Sequence, residues 1–226
     1  MKKIMIASPA YDGKVLVPFA ISLSETVLCM AVNQIQVNYN ITTSGSLLVA
    51  ERNKIIQNFI ETDCTHLLCV DSDLGWPAPA VLAMINHDVE FVAGVYPARG
   101  PNKEFMFRSK LNPDESIVKN DKNLLGMEYI PAGFMLLKRE AIQKMIDKFP
   151  ELYFEPKAEA MKHAKGYCLF NTEVLDGEFW GEDYVFCRRA REAGVEIWVD
   201  PMIEFDHAGT RGMLMYVLTN KPEEKK

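Results

Sequence analysis

The sequence is short of several things, and each shortage excludes a class of protein. No Gly-x-Gly-x-x-Gly follows an apolar run and no Walker A sequence occurs, so neither dinucleotide nor P-loop chemistry is indicated. There is no Gly-x-Ser-x-Gly elbow and no Cys/His nucleophile pattern. The five cysteines, Cys29, Cys64, Cys69, Cys168 and Cys187, form no Cys-x-x-Cys pair. They read as small buried hydrophobes in a reducing compartment, not as a zinc site or a disulfide framework. No apolar run approaches the roughly 20 residues that span a bilayer. Met1 to Pro9 briefly looks like a signal peptide, but its apolar stretch is too short and reads better as a first strand. A cytoplasmic protein without membrane partners is expected, in the host cytoplasm if a phage encodes it. The net charge of −6 leaves no basic surface for gripping nucleic acid as a whole. Repeats and low-complexity tracts are lacking too.

What is present suits one folded α/β domain. The 226 residues are 48% hydrophobic and 25% charged, enough for one sizeable core and short for two. The first half alternates strand and helix signals. Strands are expected at Ile4–Ala7 (ended by Ser8-Pro9), 35–41, 66–70 and 91–95. Helices are expected at 17–32, at 47–60 with Ser44 or Ser46 as cap, and at 77–86. This order predicts a mostly parallel central sheet flanked by helices. The second half is less regular. Residues 97–123 read as loops with edge strands, and Tyr129-Ile130 and 134–137 flank Pro131-Ala132-Gly133. A helix at 139–148 stops at Pro150, and 151–179 reads as a mobile loop over a site. A helix at 184–193 ends at Gly194, with strands at 195–199 and 203–205.

The chemistry centres on Asp71-Ser72-Asp73. It follows the apolar run His66–Val70 and precedes Leu74-Gly75-Trp76-Pro77. Two carboxylates at a buried strand end are costly to desolvate without a partner. In an open α/β sheet this is also where ligands bind. Hard oxygen ligands at close spacing suit Mg²⁺ or Mn²⁺ with phosphate oxygens. Gly181-Glu182-Asp183 opens a helix, where the dipole favours acids and keeps a carboxylate ionised. One of that pair is placed to face a substrate hydroxyl as base or orienter. His207, in Asp206-His207 after a strand, is a metal ligand if it meets Asp73, better for Mn²⁺ than for Mg²⁺. In the loop after the first strand, Pro9-Ala10-Tyr11-Asp12, Tyr11 suits stacking on a base and Asp12 bonding to its edge or the ribose. Arg52, beside Glu51, Asn53 and Lys54, reads either as a phosphate or base contact or as part of a solvated helix face. Arg99 and Arg211 are further phosphate-neutralising candidates.

In this order the pieces resemble the GT-A-fold glycosyltransferases, a Rossmann-like α/β architecture. The resemblance runs from strand-Pro9-Ala10-Tyr11 through Arg52-Asn53, Asp71-Ser72-Asp73, Gly133-Phe134 and Gly181-Glu182-Asp183 to His207. Residues 65–73 are especially similar to the compact phage and bacterial versions. The resemblance implies a nucleotide-sugar donor and a Mn²⁺ or Mg²⁺ cofactor. Pro9, Tyr11, Asp12, Arg52, Asp71, Ser72, Arg99 and Arg211 would serve the donor. Asp73 and His207 would bind the metal, with Asp71 on the metal or the ribose. Gly133 and Phe134 would shape the acceptor side, and Glu182 and Asp183 match the acidic pair beside the acceptor. Residues 1–100 would form the donor half of a single domain, 101–220 the acceptor half, and 221–226 a flexible tail.

The expected reaction is transfer of a sugar from a nucleoside-diphosphate sugar to an acceptor hydroxyl, retaining or inverting. The phage-like resemblance suggests a hydroxymethylated base in DNA as one acceptor; the net charge stands against it, and the local clusters Lys138-Arg139 with Lys144 and Arg188-Arg189 with Arg191 stand for it. Glycans, proteins and small molecules are others. Two alternatives stand beside this reading. A sugar-phosphate nucleotidyltransferase would want a glycine-rich first loop, where only Gly13 is found. A non-catalytic carbohydrate-binding or assembly protein would need the carboxylates to be structural.

Overall fold

The computed structural model describes residues 1–43, 45–100, 104–158 and 165–219. The N-terminal half follows the expected alternation. Strand β1 (Lys3–Ala10), helix α1 (Val17–Val32), β2 (Gln36–Thr43), α2 (Leu48–Ile60) and β3 (His66–Val70) come first. A short β4 (Leu74–Gly75), α3 (Pro79–Asn86) and β5 (Phe91–Ala93) complete this half. Then come β6 (Arg108–Ser109), β7 (Leu125–Tyr129), β8 (Phe134–Lys138), α4 (Arg139–Lys148) and a 3₁₀ turn (Pro150–Leu152). The remainder is β9 (Tyr153–Phe154), β10 (Gly166–Tyr167), β11 (Glu173–Leu175), β12 (Glu178–Trp180), α5 (Glu182–Glu192) and β13 (Ile197–Val199). β14 (Glu204–His207), β15 (Thr210–Met213) and α6 (Leu214–Thr219) end the described chain.

Eight strands form the central sheet in the order β2-β1-β3-β8-β5-β13-β7-β6. β2, β1, β3, β5 and β13 run one way, while β8 and β7 run against them. The sheet is therefore mixed with a mostly parallel core. β8 wedges between β3 and β5, so strands from the irregular half complete the sheet begun by the first.

Both faces are buried, as the side-chain alternation of a strand requires. Met5, Ala7, Leu67, Cys69, Met135 and Leu137 face the layer that includes α2, α4 and α5. Ile4, Ile6, Leu68, Val70, Phe134 and Leu136 face the opposite layer, with α1 and α3. The five cysteines are unpaired and lie buried or half-buried, as expected of small hydrophobes.

Several expectations need correction. β1 does not stop at Ser8-Pro9; it continues to Ala10, because Pro9 still pairs in register with Thr42 of β2. Helix α2 carries no side-chain cap, so Ser46 does not cap it; Ser44 lies outside the described residues. Asp206-His207 lies within β14 and not after it. β15 and α6 are unanticipated.

Residues 151–179 are not one irregular loop. They hold the ladders β9–β10 and β11–β12, although 159–164 lie outside the described residues. Asn53 bonds both the amide and the carbonyl of Phe170 at 2.8 Å. The Phe170 ring stacks on Phe186 at 4.1 Å. The lid expectation for 151–179 therefore fails for the part that Asn53 ties down. The tail 221–226 lies outside the described residues.

Arg139 shows how α4 is tied to the end of α2. Its guanidinium donates to the carbonyls of Cys64 (2.8 Å), Ile60 (3.3 Å), Phe59 (3.0 Å) and Thr62 (2.8 Å). It also lies 4.4 Å from the centre of the Phe59 ring. It thus satisfies carbonyls at the end of α2 that have no partner within the helix. Arg139→Met is expected to lower unfolding free energy by about 2–3 kcal/mol, since charged hydrogen bonds are lost and carbonyls orphaned. Urea titration checks this.

Candidate functional site

The site lies at the edge of the sheet where β1, β3 and β5 end and the antiparallel β8 begins. That reversal brings Gly133 to Asp71: the Asp71 amide donates to the Gly133 carbonyl at 2.9 Å. A Cβ at Gly133 would sit 2.2 Å from Tyr96 Oη and 2.5 Å from Asp71 Oδ2, so only glycine fits. Tyr96 Oη in turn accepts the Gly133 amide at 3.1 Å. Burial, then the Asp71 charge, pushes the Tyr96 phenol above its usual range, so it stays neutral.

Arg52 crosses this edge from α2. It is 4% exposed, so it belongs to no solvated helix face. Nη2 donates to Asp71 Oδ1 at 3.0 Å and Nη1 to the Ala132 carbonyl at 3.1 Å. Nε lies 3.7 Å from Glu182 Oε1, beyond hydrogen-bond reach, and has no other polar partner among the described residues. Burial works against this charge. The Asp71 carboxylate, with Glu182 behind it, outweighs burial and holds the guanidinium protonated. Arg52 therefore sits in the site facing protein carboxylates.

The acidic pair opens α5 after Gly181, as the sequence suggests. Glu182 is paired with Arg52; Asp183 accepts its own neighbour's amide, Tyr184 N–H, at 2.9 Å. Burial first, and repulsion by Glu182 second, raise the Asp183 carboxyl above the usual carboxylate range. That makes it a better proton acceptor than an ordinary aspartate. Cys69, beside the site, is no nucleophile: burial pushes its thiol up to about 12.

The second half of the motif forms its own cluster. β4 pairs with β14, placing His207 opposite Leu74, and the Ala208 amide bonds the Asp73 carbonyl at 3.2 Å. β4 in turn is docked on α1. Trp76 bonds Ser22 Oγ through its amide (2.8 Å) and Thr26 Oγ1 through its indole (2.9 Å). A Cβ on Gly75 would meet Pro18 at 2.7 Å. His207 Nδ1 donates to the Pro97 carbonyl at 2.8 Å, which leaves a lone pair on Nε2. Nε2 lies 3.4 Å from Asp73 Oδ2. Arg99 joins both: Nη2 pairs with Asp73, and Nε donates to His207 Nε2 at 3.2 Å. Tyr96 spans the two clusters, with its ring centre 5.0 Å from that of His207.

The remaining expected residues are placed differently. Pro9 and Tyr11 line a small open depression with Thr42, Gly45, Ser46, Leu48 and Glu51. Tyr11 is 67% exposed, and Thr42 Oγ1, Glu51 Oε2 and the nearby Ser8 Oγ have no polar partner among the described residues. Asp12 turns back on Lys14. Ser72 contributes its carbonyl to Leu16 N–H at 2.9 Å. Phe134 is buried in the core against Trp76 and Phe205, so it shapes the site only from below. Arg211 pairs with Asp206 at 3.0 Å, in a groove lined by α1 and β14.

Asp71 is held by Arg52, whereas Asp73 meets His207. Among the described residues no group of three or more His, Cys, Asp or Glu gathers as a metal site. Sequence reasoning missed Tyr96, the Arg52–Glu182 pairing, and Thr42 and Glu51. Only Tyr96 carried a local signal, since it ends the apolar run of β5.

The basic clusters are engaged within the fold. Lys138 pairs with Asp88 and Glu140, Lys144 with Glu90, and Arg188 and Arg189 with Glu173. Arg191 donates to Tyr129 Oη at 2.7 Å.

No protein-family model and no curated protein matches the chain. Similar solved structures include a glycosyltransferase involved in the glycosylation of the major capsid of PBCV-1. It is 12% identical over 62% of this chain and 62% of that one, with a TM-score of 0.37. S. aureus TarS 1–349 is 14% identical over 88% of this chain and 58% of that one, with a TM-score of 0.47. A second TarS 1–349 structure is a complex with UDP. The inositol-1-phosphate CTP transferase of T. maritima is 9% identical over 88% and 84%, with a TM-score of 0.42. The chain thus spans 62% and 58% of the length of the first two. At these identities and scores the likeness says nothing of substrate or reaction.

The raised Asp183 carboxyl has a consequence for stability. Its folded pKa lies above the unfolded value, so its contribution is fully present below pH about 3.8 and is lost as pH rises through the folded value. Asp183→Asn is therefore expected to melt no lower than the parent at pH 7. The difference in its favour should grow between pH 4 and 7. Melting curves across that range check this; a variant that melts lower at pH 7 contradicts it.

Proposed function

We propose that the chain is a metal-dependent glycosyltransferase moving a sugar from a nucleoside-diphosphate sugar to an acceptor hydroxyl. One observation carries this reading. Asp73 Oδ2 and the lone pair of His207 Nε2 face each other at 3.4 Å, beside a cluster that holds a raised carboxylate at Asp183.

The donor set suits a divalent ion. One carboxylate oxygen and one neutral imidazole nitrogen, with places left for phosphate oxygens and water, fit Mn²⁺ better than Mg²⁺. When bound, such an ion supplies positive charge to the leaving diphosphate. Asp73 and His207 would hold it. In this reading Asp71, fixed by Arg52, faces the ribose. The depression at Pro9, Tyr11 and Thr42 takes the base, with the exposed Tyr11 ring to stack on it.

Asp183 orients the acceptor hydroxyl and takes its proton as the anomeric bond forms. Its raised pKa suits it to this role, and among the described residues it forms no ion pair with a cation. Glu182, held by Arg52, fixes the first turn of α5. A base of this kind gives inversion. The acceptor is then a hydroxyl of a glycan, protein or small molecule, since the basic clusters that would favour DNA are paired internally. No observation favours the nucleotidyltransferase or the assembly reading.

A panel of nucleotide sugars, screened by melting temperature with and without Mn²⁺, tests this proposal. At least one donor should raise the melting temperature in a Mn²⁺-dependent way, because ligand binding stabilises by mass action. Asp73→Asn should stay folded and lose that shift. No metal-dependent shift with any nucleotide sugar or diphosphate would sink the donor reading. An Asp73→Asn chain that simply unfolds would favour the assembly reading.

A further inference from the structure

We propose that the Arg99 guanidinium is the resident, exchangeable cation of the Asp73–His207 pair, and that a divalent ion must displace it to bind. This rests on the reading of Asp73 and His207 as ion ligands. Arg99 presents Nη2 to Asp73 Oδ2 and Nε to His207 Nε2, the same two atoms an ion would take. A guanidinium only donates, so the bond to Nε2 requires a lone pair there. The bond from Nδ1–H to Pro97 puts the proton of a neutral ring on Nδ1, so the two bonds are compatible with one tautomer. The imidazole is thus already in the form a metal needs, with a cation already against it.

The two sides of this contact differ in freedom. Asp73 and His207 have side chains only 14% and 13% exposed, and both are fixed through the β4–β14 pairing. The Arg99 side chain is 65% exposed. Its backbone is pinned on either side, by Ala98 N–H on the Glu104 carbonyl (2.6 Å) and Gly100 N–H on Thr210 Oγ1 (3.3 Å). Exchange therefore needs a turn of one side chain and no loop movement. Once a divalent ion is in place, like-charge repulsion turns the guanidinium outward. From a pinned backbone it stays within reach of the diphosphate that arrives with the ion.

The device makes ion binding weak until the donor's negative charge gives Arg99 a second partner. If Arg99 holds the site about nine-tenths of the time, apparent ion affinity is reduced about tenfold. The test is a Mn²⁺ titration of the nucleotide-free chain, followed by the electron-spin-resonance signal of free Mn²⁺. Arg99→Ala should bind Mn²⁺ about tenfold more tightly than the parent, and Arg99→Ala with Asp73→Asn should lose that gain. Equal or weaker binding by Arg99→Ala overturns the proposal while leaving the metal site standing. A gain that survives Asp73→Asn also overturns it, because the ion then sits elsewhere. If neither parent nor Arg99→Ala binds Mn²⁺, this proposal and the metal reading fall together.

Discussion

The site depends on one buried positive charge. Arg52 carries its guanidinium into the sheet edge, where burial alone would make it costly. Asp71 offsets that cost directly, Glu182 and the Ala132 carbonyl more weakly. Four segments far apart in the chain meet at this group: α2, the end of β3, the loop before β8 and the start of α5. Breaking a buried pair of this kind costs about 3–5 kcal/mol, because the remaining charge is left without a partner. The carboxylates of the site are therefore also part of what holds the fold.

That arrangement separates two carboxylates that lie one residue apart. Asp71 gives Oδ1 to Arg52 and stays partly open to the site. Asp73, beyond a single serine, is turned to β14. In a strand, residues two apart would share a face; here the turn over 71–74, closed by the Leu74 amide on the Asp71 carbonyl at 3.2 Å, lets each be caught by a different partner. The acidic pair of α5 is split in the same way, with Glu182 on Arg52 and Asp183 left with a raised pKa. In both pairs one carboxylate is neutralised by a fixed arginine and its neighbour faces the chemistry.

Much of this was legible in the sequence, for identifiable reasons. The α/β alternation and the ranges of α1, β3 and α4 follow from apolar periodicity. Asp71-Ser72-Asp73 declared itself by standing after a wholly apolar strand. His207 was drawn to Asp73 by its residue type at a strand end and by the family resemblance, because the β4–β14 pairing has no local sequence signal. Arg52 read equally well as solvated, since its neighbours Glu51 and Lys54 are charged and its partner Glu182 lies far along the chain. Residues 151–179 read as a mobile loop because short ladders carry too few residues for a period. What holds them, Asn53 on Phe170 and Arg189 on the Cys168 and Leu169 carbonyls, is long-range and polar. The insertion of β8 between β3 and β5 was likewise invisible to local pattern.

The central claim is that Arg52 and Asp71 form an energetically coupled pair on which the site is built. A double-mutant cycle with Arg52→Met, Asp71→Asn and both together, read as unfolding free energy in urea, tests it most directly. The account predicts a coupling of about 1–3 kcal/mol, with the double variant more stable than the sum of the single losses implies. Additive losses, with coupling within about 0.5 kcal/mol of zero, would show the pair to be incidental and would contradict the account.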